Sequence, residues 1–582
     1  MSDRQIETPA PADRPSFKIL SNGAAISAEY QIEAVVVTRS VNRVASADIV
    51  VLDGDAAAET FAASDGSEFV PGAEIEIQAG YHGQDTSLFK GIVVRHGVKT
   101  YQRRPSVLKV ECRDAAVKLT VGRKSGYFYD QTDSDVVGEI AGAAGLTADA
   151  EATSVTHKQL VQSYATDWDF LVTRAEANGQ IVVTKDGTLI VKKPDASAPP
   201  AVSLRFGGNL LEFEAVMDAR TQYAGVKALA WSPADQAMVE AEAAAPSVVT
   251  PGNISSDDLA AVIGLPELVV THAGQLDEQE LQAWADGERM RSAFAKVRGR
   301  ARTQGFPAIY PGDIVELAGV GERFNGSALV SGVRHEISTK NWETDVAFGL
   351  STETLAASQN RVAGPGANGL LPPMEGLQLG LVTALEGDPD GEERIQVHVP
   401  AIDPAGEGTW ARLATLDAGA SRGVVFRPEI GDEVVLGFLD RDPRNPVVLG
   451  QLHSSAKASP FPPADDNHEK GLVTRSGIEL RFDDDKKVVV LKTPNGNTLT
   501  VSDQDGGLKL EDESGNTLTL DSSGITLDSA SDLTLKAAGD VKVEGSNVEA
   551  TAQAQFKAEG SAGAEVSSSA NTTIKGSMVQ IN

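Results

Sequence analysis

Several things that common protein classes need are scarce in this sequence. Its 582 residues include one cysteine, Cys112, so an internal disulfide framework is excluded. Cys112 lies in the strand-like run VLKVECRDAAVKL, where a buried, unreactive thiol is expected. No apolar run approaches the roughly 20 residues of a membrane span. The opening MSDRQIETPAPADRP lacks the basic and apolar regions of a signal peptide, and this predicts a chain made in the cytoplasm.

Positive charge is scarce as well. Lys and Arg number 51 against 82 Asp and Glu, which gives a net charge of −31 and a pI near 4.7. Affinity for nucleic acid depends on contacts from Lys and Arg to phosphates, so the composition predicts no nucleic-acid partner. Charge attraction to an anionic membrane is disfavoured for the same reason. A surface kept soluble by its own charge explains most of the acidity.

Patterns of catalytic and metal-binding residues are also few. The eight histidines stand singly, without the i, i+4 or short-loop spacing of metal sites. The sequence shows no nucleophile paired with a base and no phosphate-binding motif. Asp483, Asp484 and Asp485 could bind a cation, although a hairpin with a solvated tip is the favoured interpretation. We therefore predict no catalytic residue, no metal site and no cofactor.

The chain is too long for one hydrophobic core and divides by pattern. Runs such as YQIEAVVVTRSV and AEIEIQAGY alternate apolar and polar residues, which is typical of antiparallel strands. A mainly β, multidomain fold follows. The predicted parts are a flexible arm at 1–14, a first β-barrel at 15–135, an α/β insert at 136–210, a second β-barrel with an inserted helix at 211–357, a linker at 358–375, an OB-fold barrel at 376–455, a linker at 456–476 and a β-helix needle at 477–582.

Helix signals define the insert and the interruption of the second barrel. DSDVVGEIAGAAGL predicts a helix capped by Asp133 or Ser134. DWDFLVTRAEANGQ predicts a second helix, followed by a hairpin around Asp186-Gly187. The run LDEQELQAWADGERMRSAFAKVRGRAR predicts a long helix opened by an Asp277/Glu280 capping box. The apolar face of the first of these helices is expected to hold Val136, Val137, Ile140 and Ala144.

The C-terminal region repeats short apolar-polar-apolar triplets, as in SGNTLTLDSSGITLDSASDLTLKAAGDVKVEG at 514–545. The step of seven or eight residues is no helical period, and alternation inside a triplet places its ends on one face of a strand. Glycines between triplets allow corners. Such repeats bury a core only against their neighbours, which predicts a β-helix. The triplets begin at Leu518, Ile525, Leu533, Val541, Val548, Phe556, Ala564, Thr572 and Val579.

The order of these parts resembles the VgrG family, the spike proteins of contractile injection systems. The matching stretches include FVPGAEIEIQAGY with LFKGIVVRHGV, YATDWDFLVTRAEANGQIVVTKDGTLIV, and PAIYPGDIVELAG with FNGSALVSGVRHEIS. The most specific is RPEIGDEVVLGFLDRDPRNPVVLGQLHSS, which looks like the OB domain of these spikes. Each stretch is weak alone, whereas their order is specific. The lysozyme domain or effector carried by some relatives is not apparent, so the resemblance implies a mechanical, non-enzymatic spike.

The resemblance implies a homotrimer whose two barrels form a hub on the tail tube and baseplate. It also implies that the spike is part of a phage tail-like particle of a bacterium and pierces the target membrane when a sheath contracts. The triplet phase assigns the shared core, while Thr519, Thr526, Thr534 and Lys542 face water. The predicted trimer-core residues are Leu518, Leu520, Leu527, Leu533, Leu535, Val541 and Val543.

The chain stops at MVQIN, where a trimer would end in a flat apolar face. Exposed strand edges and apolar side chains there invite a capping partner. In the resembling family a conical tip protein of the PAAR type fills this role, so Val579, Ile581 and Asn582 are predicted to bind such a protein.

Two alternatives stay open from sequence. A polysaccharide-degrading β-helix enzyme is one, because three repeats would make a plausible turn of a single-chain helix, although no paired carboxylate site is identifiable. An adhesin stalk is the other, although no signal peptide or anchor supports it. A stable trimer in solution would favour the spike over a monomeric enzyme, and neighbouring sheath and tube genes would separate spike from adhesin.

Overall fold

The computed structural model describes residues 14–265, 267–339, 341–358 and 362–581. Apart from Arg14, the predicted flexible arm lies outside these residues. Strands hold 40% of the chain and helices 12%, which confirms the mainly β class. The described chain divides into two compact units. One runs to Gly376 and includes Phe438–Pro446, and the other comprises Leu377–Gly437 and the chain from Val447 onward.

The N-terminal region packs around an apolar core. Side chains of a strand point alternately to its two faces, and Val35, Val37, Ile49 and Val51 are fully buried on the inner face of their strands, with Phe89 beside them. The elements are β1 (Pro15–Ser21), β2 (Ala24–Ala25), β3 (Gln31–Ser40), β4 (Arg43–Leu52), α1 (Ala62–Asp65), β5 (Glu74–Tyr81), β6 (Gln84–Lys99) and β7 (Val107–Arg113).

The α/β insert contains both predicted helices. The elements are β8 (Lys124–Thr132), α2 (Asp133–Ala143), β9 (Thr147–Ala150), β10 (Thr156–Ala165), α3 (Asp167–Ala177), β11 (Ile181–Lys185), β12 (Thr188–Lys192) and β13 (Val202–Arg205). The buried face of α2 holds Val136, Val137 and Ile140, as predicted. Asp186 and Gly187 turn the hairpin between β11 and β12 with φ of +53° and +82°, which a two-residue hairpin turn requires.

The predicted N-cap of α2, Asp133 or Ser134, was wrong. Thr132 is the N-cap, because its backbone is extended and its side chain accepts from the Asp135 N–H while Asp135 reaches back to Thr132. Such reciprocal bonds satisfy two donors that the first turn leaves free. Asp133 lies inside the helix, and its carboxylate forms an ion pair with Arg174, with 2.7 Å between Asp133 Oδ1 and Arg174 Nε.

The region after the insert holds the second group of strands. The elements are β14 (Leu210–Met217), β15 (Gly225–Ser232), β16 (Ala237–Glu242), α4 (Ser256–Ile263), β17 (Glu267–His272), α5 (Glu278–Phe294), β18 (Val297–Gln304), β19 (Ile314–Ala318), β20 (Gly326–Ile337), β21 (Trp342–Phe348) and α6 (Leu355–Ser358). Short 3₁₀ turns lie at Ala115–Thr120, Gly366–Gly369 and Leu439–Arg441.

The long helix is shorter than predicted. Asp277 is its N-cap, but its side chain bonds the Gln279 N–H, and Glu280 accepts from Arg174 at 2.9 Å instead of completing a capping box. The helix ends at Phe294, and Val297–Gln304 is a strand between β14 and β21. Apolar and polar residues alternate there, and sheet pairing overrides the helical propensity of the Arg-rich run.

The two predicted hub barrels share one sheet with two separate cores. A 16-stranded sheet runs in the order β14-β18-β21-β20-β3-β4-β7-β6-β5-β1-β2, with β9, β11, β12, β13 and β19 attached. The two regions join where β20 pairs with β3, for example His335 with Val37. Edge strands present unpaired backbone groups, and pairing the two edges satisfies them. Sequence pattern could not show this long-range pairing.

The second unit begins with a closed barrel in the order β22-β23-β24-β28-β27. Its interior is filled by Val382, Val397, Ala411, Val434 and Leu436. This is the small closed barrel predicted for this part of the chain. The elements are β22 (Gln378–Ala384), β23 (Ile395–His398), β24 (Thr409–Leu413), β25 (Ala418–Gly419), β26 (Arg422–Gly423), β27 (Glu433–Phe438) and β28 (Pro446–Gln451).

A seven-stranded antiparallel meander follows, which we call the C-terminal sheet. It consists of β29 (Glu469–Val473), β30 (Glu479–Asp483), β31 (Val488–Lys492), β32 (Thr498–Ser502), β33 (Gly507–Glu511), β34 (Thr517–Asp521) and β35 (Gly524–Asp528). It begins inside the predicted linker, and Asp484 and Asp485 lie in a hairpin turn as interpreted. Beyond Asp528 the structure assigns no strand within residues 529–581. The predicted β-helix is therefore not formed by one chain, because triplet strands need neighbouring strands to pair with.

Candidate functional site: the apolar face of the C-terminal sheet

Strand register aligns leucines across the whole C-terminal sheet. Leu480 pairs with Leu472 and Leu491, and the same direct pairing continues strand by strand to Leu527. Directly paired side chains in a sheet touch one another. We call this row the leucine ladder. Its members are Leu472, Leu480, Leu491, Leu499, Leu510, Leu518 and Leu527.

A second row runs beside the first. Phe482 pairs with Val489, and the row continues to Ile525. Its members are Phe482, Val489, Val501, Leu508, Leu520 and Ile525. On each of the strands β30 to β35 the members of the two rows stand two residues apart, so both rows point to the same side of the sheet. Together they form what we call the apolar face.

No member of the apolar face is buried. All are half-buried or exposed, and Ile525 is 73% exposed. A groove of about 720 Å³ lies along the leucine ladder, lined by Leu491, Leu499, Leu510 and Leu518. Isolated exposed leucines are ordinary, but a contiguous apolar surface of this kind marks an interaction site.

The opposite side of the sheet is polar. The residues between the two rows pair with one another from Arg481 through to Thr526. They are Arg481, Val490, Thr500, Lys509, Thr519 and Thr526, of which only Val490 is apolar. A sheet with one apolar and one polar side is built to have one side covered and the other in water.

Two asparagines hold successive turns of the sheet together. Asn497 Oδ1 accepts from the Glu513 N–H at 3.3 Å, and Asn516 Oδ1 accepts from the Ala530 N–H at 2.9 Å. Sequence reasoning missed both residues. The signal was the identical pentapeptide GNTLT, which ends each of these turns at 496–500 and 515–519.

The structure brings part of the predicted trimer core together. Leu518, Leu520 and Leu527 lie on the apolar face, and Thr519 and Thr526 lie on the polar side. The ladder members before Leu518 were not predicted, although ELRFD, VVVLK and TLTVS show the same alternation. The four remaining predicted core residues follow the last strand and stay exposed. Leu533 lines the groove together with Leu518 and Leu527, whereas the lining does not include Leu535, Val541 or Val543.

The predicted tip-binding residues lie at the end of the same segment. Val579 is half-exposed and Ile581 is 85% exposed, whereas Asn582 lies outside the described residues. Their role, like that of the trimer core, stays a prediction.

In the N-terminal unit, Ser64 and His96 place a hydroxyl beside a base that sequence reasoning did not find. His96 Nδ1 donates to the Phe69 carbonyl at 2.9 Å, so its Nε2 accepts from the Ser64 hydroxyl at 2.8 Å. The backbone N–H of Ser64 already donates to Asp53 at 2.8 Å, so it cannot help to form an oxyanion hole. The pair fastens α1 to β6.

Other candidate chemistry is weak in the described residues. Cys112 is fully buried, and burial, with the charges of Asp48 and Glu111, raises the pKa of its thiol to about 12. A thiol with such a pKa is inert at neutral pH. Among the residues the structure describes, no three His, Cys, Asp or Glu side chains are grouped to hold a metal ion, and no helix has the length and apolarity to cross a membrane.

Comparison with known families matches three parts of the chain. Residues 378–453 match the injector OB domain of the type VI secretion system and phage baseplate. Residues 487–582 match the phage baseplate V C-terminal trimerisation domain. Residues 11–339, more than half of the chain, match the Alg8 N-terminal domain. An injector OB barrel joined to a trimerisation domain defines a spike protein of a contractile injection system.

Parts of the chain are similar in sequence to known VgrG proteins. The type VI secretion system spike protein VgrG1b of Pseudomonas aeruginosa is 25% identical over 218 residues, which are 34% of this chain and 29% of the relative. VgrG5 of the same organism is 29% identical over 195 residues, 30% of this chain and 24% of the relative. The matches thus span less than a third of these relatives' length. The chain belongs to the VgrG family of spike proteins and, through its N-terminal half, to the family of the Alg8 N-terminal domain.

Solved structures with similar folds include tail proteins. The prophage MuSo2 43 kDa tail protein of Shewanella oneidensis is 14% identical, with a TM-score of 0.44 over 58% of this chain and 98% of that one. The E. coli c3393 protein, described as a component of the type VI secretion system, is 14% identical, with a TM-score of 0.37 over 75% of this chain and 100% of that one.

Proposed function

We propose that three copies of this chain associate through the apolar face and form a trimeric, non-enzymatic spike. The observation that carries the proposal is the pair of uninterrupted apolar rows with no cover in the single chain. Fully burying one such side chain is worth roughly 1.5–3 kcal/mol, so covering both rows gives a strong drive to associate. The match of residues 487–582 to a trimerisation domain supports three as the number of copies.

When three chains associate, the segment from Ser529 to Ile581 lies beside the same segment of the other two chains. Its triplets are exposed and unpaired in one chain, but three chains side by side supply strands for one another. We infer that the segment then completes a triangular β-helix needle, with Leu533, Leu535, Val541 and Val543 in the shared core. Interwound chains dissociate slowly because they must separate together.

The ends of the spike have different partners. The N-terminal unit forms the hub that docks on the tail tube and baseplate, and Val579, Ile581 and Asn582 hold a PAAR-type tip protein. Sheath contraction then drives the needle through the target envelope, which it contacts mechanically. Family membership supports this assignment, and the net charge of −31 favours neither nucleic acid nor an anionic membrane as a binding partner.

A matched pair of substitutions on β34 tests the trimer. Leu518→Asp places one charge per chain on the apolar face, and Thr519→Asp places the same charge on the polar side one residue away. We expect the first variant to be monomeric and the second to be trimeric by light scattering coupled to size exclusion. A trimer that survives Leu518→Asp unchanged would remove the apolar face from the proposal.

A terminal deletion tests the tip separately. Removing Met578–Asn582 takes away the exposed Met578, Val579 and Ile581 while leaving every strand of the C-terminal sheet in place. We expect a pull-down with a purified PAAR-type protein to fail and the trimer mass to be unchanged. Undiminished capture of the tip protein would exclude the terminal residues from tip binding.

A further inference from the structure

The OB-fold barrel has apolar side chains on its outside as well as its inside. Along β22, Gly380 and Val382 point into the barrel, while Leu379 and Leu381 point outward and are exposed, Leu379 to 52%. The outer side of a barrel strand in water is normally polar. Leucines on this side therefore require an explanation.

The outer leucines lie on β22, on β28 and just before β22, and they meet over the intervening strand β27. Leu379 pairs with Val435 of β27. At Gly437 of β27, a Cβ would lie 3.2 Å from Leu449 and 3.9 Å from Leu377, so these two side chains converge over the glycine. We call Leu377, Leu379, Leu381 and Leu449 the outer leucine patch. All four are exposed in the single chain.

A second exposed apolar surface projects from the same barrel. Residues 414–430 lie in the connection from β24 to β27 and contain the β25–β26 hairpin, and we call them the finger. Leu416 is 94% exposed, and Val425, Phe426 and Ile430 are also exposed. These four side chains make the finger apolar at positions where a solvated loop would carry polar residues.

The finger is held in a defined shape by polar contacts. The Val424 N–H donates to the Asp417 carbonyl at 2.9 Å, and Thr415 Oγ1 donates to the Val424 carbonyl at 2.5 Å. Arg427 binds Glu393 at 2.7 Å. A loop ordered before binding loses less conformational entropy when it meets a partner. The finger is thus preorganised although its apolar side chains are uncovered.

Threefold symmetry connects the two surfaces. A cyclic trimer cannot use one self-complementary patch at each interface, because each copy must present one surface to the next copy and a different surface to the previous one. The barrel offers two different apolar surfaces. It also lies in the same compact unit as the C-terminal sheet, so association of three sheets brings three barrels to high local concentration.

We propose that in the trimer the finger of one copy packs on the outer leucine patch of the next, closing a ring of three OB-fold barrels. This inference rests on the proposed trimeric function and goes beyond it, since the C-terminal sheet alone could hold the trimer. The second copy is the occupant because the interface is continuous with the unit that trimerises. Both surfaces are apolar, so each covers what the other exposes.

Thiol labelling tests the ring directly. Cys112 is buried and does not compete for a maleimide, so single variants Leu416→Cys in the finger and Leu379→Cys in the patch can be made in the native chain. Glu407→Cys, exposed in another loop of the same barrel, is the control. The rate of maleimide labelling of each cysteine variant is measured in the trimer and in the monomeric Leu518→Asp background. We expect about tenfold slower labelling in the trimer for the first two variants and no change for the control.

A double-mutant cycle tests whether the two surfaces meet each other. Leu379→Asp and Phe426→Asp should each lower the denaturant midpoint of trimer dissociation, and the double variant should be scarcely worse than either one, since both break one contact. Additive losses, or equal labelling in trimer and monomer, would overturn the ring. Absence of any trimer in the parent chain would instead refute the proposed function, so the two failures are distinguishable.

Discussion

The N-terminal unit and the C-terminal sheet use the same alternation of apolar and polar residues with opposite results. In the N-terminal unit, Val35, Ile49, Phe89 and Trp342 are almost completely inaccessible to water. On the apolar face of the C-terminal sheet no side chain is buried. Alternation thus specifies that a strand has an apolar face, but whether the face is covered depends on what the chain can fold against it.

The difference lies in neighbours rather than in composition. The strands of the 16-stranded sheet and the helices beside them enclose several separate apolar cores. The C-terminal sheet is a meander of hairpins, and within the part of residues 14–581 that the structure describes no other helix or strand buries its leucines. A two-sided sheet of this kind needs a partner layer to be stable. The C-terminal sheet of one chain is therefore an incomplete layer, and in the proposed trimer the other copies cover it.

The largest expected effect comes from removing the incomplete part. Deleting Ser476–Asn582 takes away six of the seven sheet strands, and we expect the trimer to be lost while the N-terminal unit keeps its own unfolding transition. Light scattering measures the mass, and tryptophan fluorescence in denaturant follows unfolding of the N-terminal unit, which holds four of the five tryptophans. A truncated chain with unchanged trimer stability would show that the hub holds the assembly.

A second pair of substitutions tests the triplet phase beyond the last strand. Leu535→Asp would bury three unpaired charges at one level of a trimeric needle, at several kcal/mol each. Thr534→Asp, next to it, should be mild because Thr534 is predicted to face water. The midpoint of trimer dissociation in guanidinium measures both. Equal losses would show that the assigned phase is wrong.

Shortening a core side chain of the N-terminal unit should weaken that unit and leave the trimer intact. Phe89→Ala leaves a cavity in an enclosed core and should lower the free energy of unfolding of the N-terminal unit by about 3–5 kcal/mol. The trimer mass should not change, since Phe89 is far in sequence from the C-terminal sheet and lies in the other unit. Leu527→Ala is the matched control, and it should leave hub unfolding unaffected.

The smallest expected effect is the pH dependence of the N-terminal unit, which contains the buried ion pair of Asp133 and Arg174. Burial of Asp133 opposes ionisation, but hydrogen bonds and charge from Arg174, with bonds from Asn178 and His157, prevail and lower its pKa. A lowered pKa in the folded state adds stability that is present above the ordinary value of about 3.9 and is lost as pH falls below it. We expect hub stability to fall below about pH 4.

The variant Asp133→Asn should flatten that acid dependence, and Asp149→Asn, at an exposed pair with Lys192, should leave it as in the parent chain. Unfolding by urea at pH 3, 4, 5 and 7 gives the comparison, with the loss expected to be smaller than that for Phe89→Ala. A parent chain whose hub stability does not change across this range would contradict the assigned role of Asp133.

Sequence pattern determined the mainly β class, the helices at 133–143 and 167–177, the Asp186-Gly187 hairpin and the apolar phase at Leu518, Leu520 and Leu527. Each of these is encoded locally, in side-chain periodicity, capping residues or turn chemistry. The resemblance to VgrG spikes also came from the sequence, because it depends on the order of short motifs. None of these inferences requires knowing which distant residues meet.

Only the tertiary structure decided how distant strands pair. The joining of the two hub regions through β3 and β20, the strand at Val297–Gln304 and the engagement of Glu280 with Arg174 all depend on partners far away in the chain. The same holds for the outer leucine patch, which is built by leucines of two strands and the segment before β22. Long-range pairing is set by which faces and edges remain unsatisfied after local structure forms, and no local pattern records that.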